Sequence, residues 1–227
     1  KFGVPQRRNR FFILASSNPD IKLSYPIPKK CKMTTVKDAF AGLPNVIPNS
    51  GKEEKQYTGT ESDYSLLLKN DSFSKSNNLT YQMPMKHRKY TLERFALLRP
   101  GESLKDLFER YEGKERESLQ AQRILPKKMF IKRNYRLVED EPAPTVTSHC
   151  LDEFVHPKYN RALTVRECAR LQSFPDSYDF CGGPYIIPHI NREVQDKYEQ
   201  IGDAVPPLLA YAWGKEIDKI LRGVSNA

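Results

Sequence analysis

The spacing of apolar positions changes character along the chain. Arg10–Ser16 reads Arg-Phe-Phe-Ile-Leu-Ala-Ser, a continuous apolar run of strand length. An uninterrupted run of this kind predicts a strand buried on both faces, as in an α/β sheet. Helical spacing follows. Thr35 and Asp38 have the spacing of a capping box ahead of Val36, Ala39 and Phe40, which predicts a short helix over Thr35–Leu43. Ser103 precedes Leu104, Leu107, Phe108 and Tyr111, which fall at i, i+3, i+4 and i+7 and predict a helix over Ser103–Tyr111. Thr164-Val-Arg-Glu167 is a second capping box, and its helix should run to about Gln172 and stop before Pro175. At the C-terminal end Pro206 and Pro207 suit a first helical turn. Val205, Leu208, Leu209, Ala212, Trp213, Ile217, Ile220 and Leu221 then make one apolar stripe, with Gly223 as the terminating C′ residue. That stripe predicts a helix buried against a larger body.

No repeat or heptad is visible. The chain divides into a compact basic piece over residues 1–48, an irregular piece over about 49–150, and a compact piece from about 151 to 221. The middle piece holds a polar tract at Ser50–Asn78 and few regular signals. Between Arg123 and Leu137 stand Arg123, Lys127, Lys128, Lys132, Arg133 and Arg136 with no acidic residue, interleaved with Met129, Phe130 and Tyr135. This stretch reads either as a solvated charged loop or as a surface tracking phosphates, to which Lys and Arg supply most contacts.

Composition narrows the class. The 227 residues are 38% apolar and 29% charged, with a mean hydropathy of −0.67, enough for one or two domains with a large polar surface. No window approaches the ~18 apolar residues of a membrane span. Lys1–Arg10 lacks the apolar core of a signal peptide, so neither secretion nor membrane insertion is expected and a cytoplasmic place is. The net charge is +9, from 37 Lys and Arg against 28 Asp and Glu. It fits either plain solubility or a polyanionic partner. Cys31, Cys150, Cys168 and Cys181 form no CxxC pair, which speaks for reduced thiols and against a structural zinc site. His87, His149, His156 and His189 have no ligand spacing, and no metal is expected.

Three segments in fixed order resemble the C5-cytosine-specific DNA methyltransferase family. Gly3-Val-Pro-Gln-Arg-Arg-Asn-Arg-Phe-Phe-Ile13 is similar to its motif VIII, Gln-x-Arg-x-Arg before a strand. Arg161-Ala-Leu-Thr-Val-Arg-Glu-Cys-Ala-Arg-Leu-Gln-Ser-Phe-Pro-Asp176 is similar to motif IX almost throughout, and Gln200-Ile-Gly-Asp-Ala-Val-Pro-Pro-Leu-Leu-Ala210 to motif X. The interval of about 150 residues between the first two is where the family places its target recognition domain. Tyr135–Val146 fits the end of such a domain, with a Thr-plus-aliphatic pair at Thr145 and Val146.

The resemblance implies an α/β fold: the C-terminal part of a Rossmann-like methyltransferase sheet domain plus an irregular α+β target recognition domain. The expected division is 1–48 for the end of the catalytic domain, 49–155 for target recognition, and 156–227 for the helices of motifs IX and X. It implies methyl transfer from S-adenosylmethionine to C5 of a cytosine flipped out of duplex DNA, since the target atoms are unreachable in the stack. The family's Pro-Cys nucleophile, Glu-Asn-Val motif and glycine-rich cofactor loop do not occur in these 227 residues. The expectation is therefore a C-terminal portion that works with an N-terminal catalytic half or subunit. The alternative is a catalytically inactive DNA-binding remnant or recognition subunit.

The resemblance also assigns site residues. Arg10 would donate to cytosine O2, with Gln6 and Arg8 lining the DNA cleft, whereas without the motif Arg8 and Arg10 would be an ordinary basic strand edge whose guanidiniums share a side. Asp203, Ala204 and Val205 would form part of the cofactor wall. Asp203 stands where the family usually has Asn, and an ionised carboxylate cannot donate to the cofactor's carboxylate. It could act through its backbone or cap the last helix. Arg123, Lys127, Lys128, Lys132, Arg133, Thr145 and Val146 would contact DNA. Arg161, Arg166, Glu167 and Arg170 are expected to be structural, Glu167 through capping and the arginines through packing and ion pairs, and Cys168 to be a small buried residue.

Overall fold

The computed structural model describes residues 2–28, 32–69, 79–186 and 194–225. Cys31, His189 and the end of the polar tract, 70–78, lie outside the described residues. The described elements in order are α1 (Val36–Phe40), α2 (Asp63–Lys69), α3 (Lys89–Leu97), α4 (Leu104–Arg110), α5 (Gly113–Ala121), β1 (Tyr135–Arg136), α6 (Cys150–Glu153), β2 (Phe154–Val155), α7 (Val165–Leu171), α8 (Lys197–Asp203) and α9 (Pro207–Ser225). The two short strands pair in parallel, with Tyr135 beside Phe154 and Arg136 beside Val155.

Local chemistry sets the helix starts. Thr35, Ser103, Thr164 and Asp196 each accept a hydrogen bond from the backbone N–H three residues on, while the acidic residue there bonds back to the cap. These boxes satisfy two of the donors that every helix start leaves open. The fourth of them, Asp196 with Glu199, opens α8 and is the one the sequence reading missed. Thr35 and Asp38 place α1, whose Val36 and Ala39 are buried.

One core joins α1, α2, α7 and α8. Val36, Ala39, Leu68, Val146, Leu163, Cys168, Leu171 and Ile201 are its buried members, and α1 packs on both α2 and α7. A second cluster holds Phe95, Leu98, Leu104, Leu107, Leu125 and Val155 under α3 and α4. Arg136 ties this cluster together. It is buried, and its guanidinium donates to the carbonyls of Phe95 (2.6 Å), Leu98 (3.0 Å) and His156 (2.8 Å). A buried cation spread over several carbonyl dipoles is a structural device, so the last residue of the basic stretch belongs to the core.

Three expectations change. No strand forms at Arg10–Ser16, where Phe11 and Ile13 are almost fully exposed. A strand exists only through ladder partners, and among the described residues no backbone pairs with this segment in a ladder. The stripe of α9 is not buried: Leu208, Leu209, Ala212, Trp213 and Ile220 are half-buried, while Val205, Ile217 and Leu221 are exposed. Gly223 does not end the helix, which continues to Ser225. The middle piece is also more regular than its sequence suggests, since α2, α3 and α5 all form there; α5 has no buried residue to give it an apolar signature.

Candidate nucleic-acid interface

The first residues dock on the ends of three distant segments. Arg7 N–H donates to the Ala143 carbonyl at 2.8 Å and Ala143 N–H to the Pro5 carbonyl at 2.9 Å, a short parallel bridge. The Gln6 amide then joins three elements: its Nε2 donates to Gln172 Oε1 (2.5 Å) and to the Leu171 carbonyl (3.2 Å), and its Oε1 accepts from Val146 N–H (3.2 Å). Gln172 Nε2 donates onward to the Ile201 carbonyl at 2.8 Å. Arg8 Nη1 reaches the carbonyls of Val146 (2.6 Å) and Gly202 (3.2 Å). Burial and the neighbouring Arg10 lower the pKa of Arg8 from its usual value, against an opposing pull from Asp203.

Gly202 makes this meeting possible. A Cβ there would stand 2.1 Å from the Thr147 carbonyl carbon and from the Ser148 nitrogen. The closeness of the two backbones allows Arg8 to bridge them. The Gln-x-Arg segment thus meets three segments that lie more than 100 residues away from it along the chain: the Thr145–Val146 pair, the end of α7 and the end of α8.

Beneath them lies a buried ionic framework. Arg161 donates to Glu167 through Nη1 (2.8 Å) and Nη2 (2.7 Å), and Arg170 pairs with Asp176 through Nε (2.9 Å) and Nη2 (2.6 Å). Arg166 bonds the Thr80, Pro175 and Tyr178 carbonyls. Burial alone would raise the Glu167 carboxyl, but the charge and hydrogen bonds of Arg161 outweigh it and hold the pKa at about 2. Burial pushes His156 down to about 3, despite Glu167 at 3.7 Å, so the imidazole is neutral and Arg161 is the partner of Glu167. The structural reading of these charged residues holds, and Cys168 is fully buried in α7 as expected.

The expected site residues separate into three groups. Gln6 and Arg8 are half-buried, and their polar groups tie other segments together. Arg10 is exposed, its Nη1 donating to the Asn9 carbonyl, and its charge is one of the causes that lower the pKa of Arg8. Val146 is fully buried in the core and offers only backbone to its neighbours, which corrects its assignment as a DNA contact. Its side chain belongs to the main core cluster. Thr145 remains partly accessible, its hydroxyl donating to the Arg7 carbonyl. Arg123, Lys127, Lys128, Lys132 and Arg133 are exposed. Arg133 lies over Phe130 at 5.0 Å and pairs with Asp152 at 3.5 Å. A cavity of about 430 Å³ brings Lys132 and Arg133 across from Tyr135 and Thr145, which links the basic stretch to the docked N-terminal segment.

Asp203 is the last residue of α8 and accepts from Gln195 Nε2 at 2.8 Å, so it does not cap α9. Ala204 is half-buried and Val205 exposed. Sequence reading passed over Lys86, Arg88 and Tyr90 and gave His87 no chemistry; the four gather at the start of α3 around another cavity. The run Lys-His-Arg-Lys-Tyr was the available signal. Among the described residues no cluster of His, Cys, Asp and Glu could hold a metal, and no helix is long and apolar enough to cross a membrane.

Comparison with known proteins agrees with this geometry. The family model for the C-5 cytosine-specific DNA methylase matches residues 1–219. The type II methyltransferase M.DdeI of Desulfomicrobium norvegicum is 34% identical over 222 residues, 95% of this chain and 51% of the relative. The type II methyltransferase M1.HphI of Haemophilus parahaemolyticus is 29% identical over 219 residues, 96% of this chain and 45% of the relative. A solved structure, described as a DNA modification methyltransferase encoded within a prophage of E. coli, superimposes with a TM-score of 0.65 at 25% identity, over 97% of this chain and 57% of that one. That likeness supports a mixed α/β methyltransferase fold. The chain spans about half the length of the curated relatives it matches. With a family model covering nearly every residue and the three motif-like segments meeting in one place, the chain belongs to the C-5 cytosine-specific DNA methylase family.

Proposed function

We propose that this chain is the DNA-recognising part of a DNA (cytosine-5-)-methyltransferase that acts on a cytosine flipped from double-stranded DNA. The observation that carries the reading is the junction at Gln6 and Arg8, where the segments similar to motifs VIII, IX and X lock together with Thr145–Val146. Residues 49–155 are the target recognition domain in this reading, with 1–48 and 156–227 belonging to the catalytic domain.

The chemistry divides among the residues accordingly. Arg10, exposed and next to the anchored Arg8, donates to the O2 of the flipped cytosine. Gln6 and Arg8 are positioning residues that fix the direction from which Arg10 projects. Lys127, Lys128, Lys132 and Arg133 hold phosphates, with Arg123 and Thr145 along the same path. S-adenosylmethionine, the family's methyl donor, supplies an electrophilic methyl group when bound. Ala204 and Val205 present an apolar step suited to the cofactor's sugar or adenine, and the Asp203 carboxylate suits its ammonium group better than its carboxylate. These residues fit one wall of a cofactor site.

The thiolate that attacks cytosine C6 comes from elsewhere. Cys150 and Cys168 are buried, and burial and Cys150 push the Cys168 thiol well above its usual value, whereas attack requires the thiolate. Cys181 is exposed but follows Phe180 instead of proline. An N-terminal catalytic half therefore completes the enzyme. The exposed apolar side chains of Phe11, Ile13, Ile27, Val205 and Tyr211 are compatible with such a partner.

The test is transfer of a labelled methyl group from S-adenosylmethionine to mixed-sequence duplex DNA. We expect no transfer by this chain alone and transfer once the N-terminal half of a relative is added. Transfer by the isolated chain above a protein-free control would overturn the reading. DNA binding with no transfer in any combination would favour the inactive recognition subunit.

A further inference from the structure

A cavity of about 300 Å³ opens between the start of α3 and residues 126–134. This is the low end of ligand-sized clefts, which run from ~300 to ~1,000 Å³. One wall carries Lys86, Arg88 and Tyr90; the other carries Phe130, Arg133 and Asn134. Neither wall can drift. His87 accepts from Ala162 N–H at 3.2 Å through Nε2, and its own N–H donates to Asn49 Oδ1 at 2.7 Å. Burial lowers its pKa, which keeps the ring neutral and able to accept. Opposite, Arg94 donates to the Ile124 carbonyl at 2.5 Å and the Arg123 carbonyl at 3.1 Å, and Asn134 Nδ2 to the Asp152 carbonyl at 3.0 Å. Arg94 is thus occupied by the frame. Lys86 and Arg88 are exposed, and Arg88 donates to the Tyr90 hydroxyl at 2.9 Å.

The charge at the mouth is cationic. Lys86, Arg88 and Arg133 face a single carboxylate, Asp152, which Arg133 already engages at 3.5 Å. Aromatic faces stand beside these cations on both walls: Arg88 lies 6.0 Å from the Tyr90 ring and Arg133 5.0 Å from that of Phe130. Cations for phosphate beside rings for sugar or base is the combination that grips a nucleic-acid strand.

We infer that this cleft is a second DNA-strand site, in which Lys86 and Arg88 hold a phosphodiester while Tyr90 and Phe130 pack on the adjoining sugar or base. The inference rests on the DNA-recognition reading above and extends it to the start of α3. Lys127, Lys128 and Lys132 then hold one side of the strand's path and Lys86 and Arg88 the other, so the DNA runs between two walls.

The test measures binding of the full chain to a fluorescent 20-base-pair duplex across a salt titration. Lys86→Ala with Arg88→Ala should flatten the plot of log affinity against log salt by roughly two units, about 0.9 per lost phosphate contact. Tyr90→Leu should weaken binding by roughly ten-fold with little change in slope. Lys215→Ala with Lys219→Ala, on the exposed side of α9, is the control and should change neither. Photocrosslinking to a duplex carrying 5-iododeoxyuridine should label Tyr90 or Phe130, and this readout does not depend on any variant folding. If the chain binds DNA but the Lys86 and Arg88 variant keeps its slope, or the crosslinks fall elsewhere, the cleft is overturned and the recognition reading survives. If the unaltered chain binds no duplex, both fall.

Discussion

Single residues carry the junction, and their loss should be felt unequally. Gly202 admits no side chain, because a Cβ would overlap the Thr147 and Ser148 backbone at about 2.1 Å. Gly202→Ala should therefore cost at least ~3 kcal/mol in denaturant unfolding, at the upper end for overpacking, since backbone cannot step aside as a side chain can. Arg8→Ala would leave the Val146 and Gly202 carbonyls short of a donor and should cost about 1–3 kcal/mol. Arg10 is different. It is exposed and donates to the adjacent Asn9 carbonyl, so Arg10→Ala should leave the melting temperature unchanged. In the reconstituted enzyme it should lower methyl transfer while leaving DNA affinity nearly intact, because a contact to the flipped base acts in the reactive complex. Full activity of that variant would remove Arg10 from the chemistry.

Among the elements, α7 has the most at stake in its charges. Glu167 caps its own helix, pairs with Arg161 and lies near His156, all buried. His156 is held neutral, with its pKa lowered to about 3, so below the usual ~6.5 the unfolded chain takes up a proton that the folded chain refuses. Glu167, at about 2, keeps its charge while its unfolded counterpart protonates near 4.3. Both shifts make the unfolded state the greater binder of protons, so stability falls as the pH drops, through His156 from about 6.5 and through Glu167 from about 4.3. Urea unfolding between pH 8 and 4 should show this decline. His156→Gln should flatten its upper part, and an unchanged profile in that variant would assign the loss to another group. The α7 element was legible in the sequence because Thr164, Glu167 and Pro175 act over three to ten residues. The distant partners of its arginines and of Arg161 were not, since Thr80, Ala39 and Val46 lie far away along the chain.

On the scale of the whole molecule, the net charge of +9 includes the exposed Lys127 and Lys128, which the proposed reading sets against phosphates. Lys127→Ala with Lys128→Ala should weaken binding to every duplex sequence alike and flatten the salt dependence by roughly two units, because phosphate contacts carry no sequence information. A silent salt titration would show those lysines to be a solvated face. The apolar side chains of residues 11–27 and α9 form the other global feature. Phe12 stacks on Trp213 at 5.2 Å between ring centres and Tyr25 meets the same ring edge-on at 5.4 Å, so the segment lies along the helix while Phe11, Ile13 and Ile27 stay open. Mixing with the N-terminal half of a relative should protect the amides of residues 11–16 from hydrogen exchange; continued rapid exchange in an active mixture would place the partner on another face.

What the residues determined unaided was local. Capping boxes at Thr35, Ser103 and Thr164, the burial of Cys168, and the order of three motif-like segments all follow from neighbours in the chain, where spacing alone specifies the hydrogen bond or the face. The tertiary structure decided where those segments meet. It bonded Arg8 to the Val146 and Gly202 carbonyls and left Arg10 exposed, buried the Val146 side chain in the main core, and drew Arg136 out of a basic stretch into the core. It also set Lys86, Arg88 and Tyr90 across a cleft from Phe130 and Arg133, some forty residues away. The apolar run after Arg10 shows the reason most plainly. Hydrophobicity states that Phe11–Leu14 favour burial, but a strand exists only when another backbone lies beside it, and that is a property of the assembled molecule.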